Sequence, residues 1–109
     1  MSYLSYVILP EPLRAISATT FTGSYQPVGG PLLSGGRLIR FQNASNVPIF
    51  LSWDGVTDHN YFPAGSFMII DISTNHENSL VFEAQAGTQF YVRGSAGTGS
   101  FYIESFYGS

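Results

Sequence analysis

The chain reads as an all-β protein: a single β-sandwich of seven to eight antiparallel strands, of jelly-roll or Greek-key type, with an extended N-terminal arm. Three observations predict this. Apolar and polar residues alternate at period two in run after run, and no segment keeps a 3.6-residue apolar period between helix caps. Turn residues then separate the runs at intervals of about 8–12 residues. Twelve glycines and six prolines among 109 residues supply that punctuation.

Residues 1–12 come first and stand apart, ending in Pro10-Glu11-Pro12. Tyr3, Leu4, Tyr6, Ile8 and Leu9 are costly to leave in water. The segment is therefore expected either as a frayed terminus or first edge strand, or as an arm whose apolar residues contact a neighbouring subunit. Residues 13–109 form the sandwich domain. One or two weaker strands are expected within 13–27, where Ile16, Ala18 and Thr20 alternate with Ala15, Ser17 and Thr19.

Six stronger strands are expected near 37–43, 47–53, 66–73, 79–85, 88–93 and 100–106. Ile39 and Phe41 alternate with Arg40 and Gln42, and Val47, Ile49, Leu51 and Trp53 share one phase. Met68, Ile70 and Ile72 oppose Phe67, Ile69 and Asp71, while Leu80 and Phe82 oppose Val81 and Glu83. Phe90 and Val92 oppose Tyr91 and Arg93, and Phe101 and Ile103 oppose Tyr102 and Glu104. Successive side chains of a strand point to opposite faces, so such runs build sheets with one buried face. Asp54-Gly55, Pro63-Ala64-Gly65 and the Gly94–Gly99 stretch mark turns, because Asn, Asp and Gly tolerate positive φ and Pro presets the first turn position.

Charge is scarce. Charged residues make up 10% of the chain, against roughly 25% in an average soluble domain. Arg14, Arg37, Arg40 and Arg93 are its only Lys or Arg residues, so lysine is absent. Lysine is a common guard of exposed strand edges; here uncharged polar residues or neighbouring chains must cover them. A net charge of −3 with four scattered arginines makes no basic stripe, which argues against nucleic-acid and anionic-membrane partners. No run approaches the roughly 20 apolar residues of a membrane span. The first ten residues have neither the positive start nor the long apolar core of a signal peptide, so synthesis in the cytoplasm is expected.

Asp54-Gly55-Val56-Thr57-Asp58-His59-Asn60 is the densest polar cluster. Its residue types are capable of ligating calcium or a transition metal, but its spacing fits neither an EF-hand nor a paired-histidine helix. Asp-Gly after a strand is first a hairpin signal. His59 and His76 both fall in turns, whereas a cupin-type metal site takes ligands projecting inward from strands. No Gly-x-Ser-x-Gly elbow occurs, nothing around Asp54 and Asp58 supports a glycosidase pair, and Gly94–Gly99 lacks the Lys-Ser/Thr of a phosphate loop. Asn43-Ala44-Ser45 matches a glycosylation sequon only formally. No catalytic residue, metal or cofactor is assigned.

The aromatics carry more weight. Trp53, Tyr61 and Phe62 flank one loop, and Tyr25, Tyr91, Tyr102 and Tyr107 fall mostly on outward-reading phases. With so little charge around them, Trp53, Tyr61, Phe62, Tyr91 and Tyr102 are candidate contacts for a protein interface or a glycan.

Residues Phe41-Gln42-Asn43, Asn46 to Gly55, Asp58, Pro63-Ala64-Gly65, Asp71 to Asn75 and Gly87 to Arg93 resemble small virion proteins of tailed bacteriophages. The resemblance covers about half of the chain and consists of turn and core positions. It implies a β-sandwich at a capsid surface, a head–tail connector or a fibre base, assembled as a symmetric oligomer and carrying no catalytic residues. The expected role is a non-enzymatic virion component that associates with itself, as a trimer or larger ring, and with a capsid or tail protein. The alternative is a carbohydrate-binding module centred on Trp53, Asp54, Asp58, Tyr61 and Phe62; a small metal-dependent enzyme using His59 and His76 ranks third.

Overall fold

The structure, a computed structural model, describes residues 8–33, 36–71 and 87–108. Within them the chain is all-β, with two antiparallel sheets and a single short 3-10 turn at Ala18–Thr20. The strands are β1 (Ile8–Pro10), β2 (Arg14–Ser17), β3 (Gln26–Pro27), β4 (Gly36–Ser45), β5 (Ile49–Ser52), β6 (Asn60–Phe62), β7 (Phe67–Asp71), β8 (Tyr91–Gly94) and β9 (Gly99–Gly108). The strand expected at 79–85 lies outside the described residues.

The first sheet has the order β1-β9-β4-β7, with β2 also paired to β9. The second has the order β3-β8-β5-β6. Both sheets turn one phase into a shared hydrophobic cluster. Ile39, Phe41, Phe101 and Ile103 come from the first sheet, and Ile49, Leu51, Phe62 and Val92 from the second. Phe41 sits at its centre, with ring centroids 5.3 Å from Phe90 and 6.2 Å from Phe62. Such tilted and edge-on pairs add about 0.5–1.5 kcal/mol to the area each ring buries.

The N-terminal segment joins its own sheet. Ile8, Leu9 and Pro10 pair with Gly108, Tyr107 and Phe106, and Arg14 to Ser17 pair with Ile103 to Ser100. Residues 8–17 thus form one edge along β9, broken where residues 11–13 stand opposite only 104–105. One extra residue on one strand is a β-bulge, and Pro12, which has no N–H, is suited to it. The backbone of Ile8 and Leu9 is therefore engaged with β9 of the same chain. Tyr3, Leu4 and Tyr6, the other expected arm contacts, lie outside the described residues.

The bulge turns an ion pair inward. Arg14 and Glu11 are both more than nine-tenths buried. Arg14 donates to Glu11 at 2.7 Å, to the carbonyl of Gly30 at 2.8 Å and to that of Pro31 at 2.8 Å, while Glu11 also accepts from the Leu33 amide. Gly29 has φ +63 and lies so close over the Arg14 stem that a Cβ there would clash. The pair thereby clamps the 29–33 loop onto the edge of the sheet.

Asn43 performs a similar service at the far end of β4. Fully buried, it donates from Nδ2 to the carbonyls of Val47, Phe62 and Pro63 and accepts at Oδ1 from the Ser45 amide and hydroxyl. One side chain so closes both the 45–47 turn and the turn after β6. Its amide has no access to solvent, so the formal sequon is a folding element here.

Candidate functional site

Two surfaces and one loop hold the residues that the sequence singles out. The loop follows β5. Ser52, buried at the strand end, donates to Asp54 Oδ1 at 2.8 Å and accepts from the amides of Asp54 and Gly55. The same Asp54 oxygen accepts from the amides of Val56 and Thr57, each at 2.8 Å. Those backbone donors, Thr57 first, hold the Asp54 carboxyl far below the usual carboxylate range. His59 Nδ1 accepts from the Trp53 amide at 3.1 Å, and the His59 amide donates to Leu51 O. Asp54 and His59 are thus occupied in closing the loop. Among the described residues no three His, Cys, Asp or Glu side chains gather closely enough to hold a metal; His76 lies outside them.

Of the five aromatics selected from the sequence, two point inward. Phe62 is 2% exposed and packs edge-on against Phe101 at 5.3 Å. Trp53 is half-buried, packed against Phe90 at 4.8 Å and Phe41 at 6.5 Å, with Nε1 donating to Asn60. Neither offers the open ring face that the expected contact role needs. The reason is phase: Trp53 continues the inward set of Ile49 and Leu51, and Phe62 lies opposite Ile49. Tyr107 falls in the phase of Phe101 and Ile103, and it is half-buried.

Tyr61 and Tyr91 do lie outward, on the second sheet. Tyr61, 56% exposed, packs on Phe50 with centroids 5.0 Å apart. Arg93 lies over the other flank of Phe50 at 4.5 Å and over Tyr25 at 5.7 Å. It donates to both oxygens of Asp58, which lowers the Asp58 pKa and raises that of Arg93. Gly55, at φ +82, brings the loop down onto the Tyr91 ring, where a Cβ would stand 3.3 Å away. The row is an aromatic ladder braced by one cation.

Tyr102 belongs to the other surface, the outward face of the five-stranded sheet. Across the strands it is register partner of Gln42, which pairs with Phe67. The next row runs Glu104, Arg40, Ile69, and the next Phe106, Leu38, Asp71. Phe67 and Ile69 are 59% and 51% exposed. Arg40 donates to Glu104 at 3.1 Å and lies 5.5 Å over the Phe67 ring. Phe67 and Ile69 were not among the residues selected from sequence. The signal was there: they share their phase with Asp71, which marks the solvent side of β7.

No protein-family model and no curated protein matches the chain. Among solved structures, one described as a Bacillus endospore appendage of a family of disulfide-linked pili is 13% identical with a TM-score of 0.47, matching 94% of this chain and 89% of its own. The Dit protein of phage SPP1, described as a hub adsorption protein of phages infecting Gram-positive hosts, is 13% identical with a TM-score of 0.43. It matches 92% of this chain, which spans 49% of its length. At these values neither likeness assigns a family.

Proposed function

We propose that the chain is a non-enzymatic structural subunit, a jelly-roll or Greek-key β-sandwich that works by packing against copies of itself and against a capsid or tail protein in a phage particle. One observation carries the reading. The outward face of the five-stranded sheet presents Phe67, Ile69, Tyr102, Leu38 and Phe106, with the Arg40–Glu104 ion pair among them. A contiguous apolar surface of this kind marks a contact site rather than a solvated face. A trimer or larger ring suits such a subunit, because closed symmetry satisfies sheet edges.

Cosedimentation of the tagged chain with purified virions, from a lysate of cells carrying its gene, tests this role. Stoichiometric recovery with particles is expected; a chain left wholly in the supernatant contradicts it. The carbohydrate-binding alternative is weakened by the inward placement of Trp53 and Phe62, which leaves Tyr61 as its exposed ring. A glycan array blank for the wild-type chain removes it.

A further inference from the structure

We propose that the outward face of the five-stranded sheet docks onto the same face of a second copy, across a two-fold axis that sets Arg40 of each copy beside Glu104 of the other. The inference rests on the assembly reading above and names the surface and partner it uses. Arg40 and Glu104 are direct register partners on neighbouring strands, and both are only partly covered. Among the described side chains of this face only Arg40, Glu104 and Asp71 carry charge. A two-fold interface repeats each contact in reverse, residue i on j and j on i. An axis between two adjacent opposite charges therefore makes the face complementary to itself, with two ion pairs formed at once. An unlike partner would have to supply the same alternation independently.

The area is adequate. Residues 8–17, β4 and β9 run ten residues each and β7 five, so strands ~4.8 Å apart with ~3.4 Å per residue give a face of about 570 Å² in projection. A standard interface takes about 800 Å² of accessible surface per partner, and a pleated face with exposed side chains has more accessible area than its projection. Its composition matches an interface centre, aromatic and aliphatic with charge depleted. The contact is face to face, so strand edges stay available for closing a ring.

Native mass spectrometry and sedimentation velocity on the full chain test this. Wild type is expected to form the paired species, and Ile69→Glu, at an exposed position, to weaken it at least tenfold while the thermal midpoint at concentrations too low for pairing stays unchanged; Phe67→Glu serves as the second such variant. Arg40→Glu alone and Glu104→Arg alone each place like charges across the axis and weaken pairing. Mixed in equal parts, those two variants are expected to form heteromers in preference to either homomer. Failure of the mixture to recover pairing, or pairing untouched by both β7 variants, overturns the inference while a chain that still self-associates and binds particles leaves the assembly role standing. A chain that stays monomeric overturns the inference, and cosedimentation then decides the assembly role separately.

Discussion

The guanidinium of Arg14 meets the carboxylate of Glu11 at 2.7 Å inside the bulge where the N-terminal edge departs from β9, with both side chains more than nine-tenths buried. The pair is bounded by carbonyls of the 29–33 loop, so edge strand and loop are held by the same two charges. Removing one partner of a buried pair strands the other charge and costs about 3–5 kcal/mol. Glu11→Ala or Arg14→Ala is expected to lower the unfolding free energy read from denaturant melts by that amount. A loss below about 1 kcal/mol would contradict the buried placement.

Asn43 gives a sharper substitution. A carboxylate at this position turns an acceptor toward the carbonyls of Val47, Phe62 and Pro63, where the amide now donates. Asn43→Asp is expected to cost at least about 2 kcal/mol, and thermal unfolding should fall by roughly 10 °C for a domain of this size. An unchanged midpoint would mean that the amide does not bridge the two turns.

Tyr61 and Phe62 are neighbours on β6 with opposite faces, and they separate surface from core. Phe62→Ala opens a cavity beside Phe41 and Phe101, an expected loss of about 3–5 kcal/mol. Tyr61→Ala removes only the packing on Phe50, an expected loss within about 1 kcal/mol. Urea melts of the two variants read the difference; equal losses would contradict the assigned register.

The loop after β5 carries a pH dependence. Its amide donors favour the ionised Asp54 in the folded chain, so the folded pKa lies below the ordinary 3.8. Stability from this carboxylate is complete above that ordinary value and is lost as pH falls through and below it toward the folded value. Asp58, held ionised by Arg93, works in the same direction. Unfolding followed from about pH 5 down to about pH 2 should show a shallower fall for Asp54→Asn than for wild type. Parallel curves would show that the Asp54 contacts do not discriminate between its two protonation states.

Alternation made much of the sheet framework legible in the sequence. The strands expected at 37–43 and 100–106 are β4 and β9 with shifted ends, and the described part of the strand expected at 66–73 holds β7. Ends moved because pairing, not composition, sets them: β9 runs on to Gly108 because β1 and β4 cover both its sides. Strand β6 escaped notice because Asn60-Tyr61-Phe62 is too short to show a period, and its conformation comes from pairing with β5. Nothing local in Pro10-Glu11-Pro12 marks Glu11 as buried; the bulge turns it inward. For the surface, Tyr91 and Tyr102 follow from phase, whereas Trp53, Tyr61 and Phe62 were grouped by proximity to a loop, a weaker guide than the phase of Ile49 and Leu51. Which outward face is the more apolar depends on registers between distant strands, which no local pattern contains.

The central claim is that this chain acts by association, and light scattering on the purified full chain over a hundredfold range of concentration tests it most directly. A mass that rises with concentration to a defined multiple of the single chain is the predicted result. A single-chain mass held across the whole range, together with no recovery on purified particles, would contradict it.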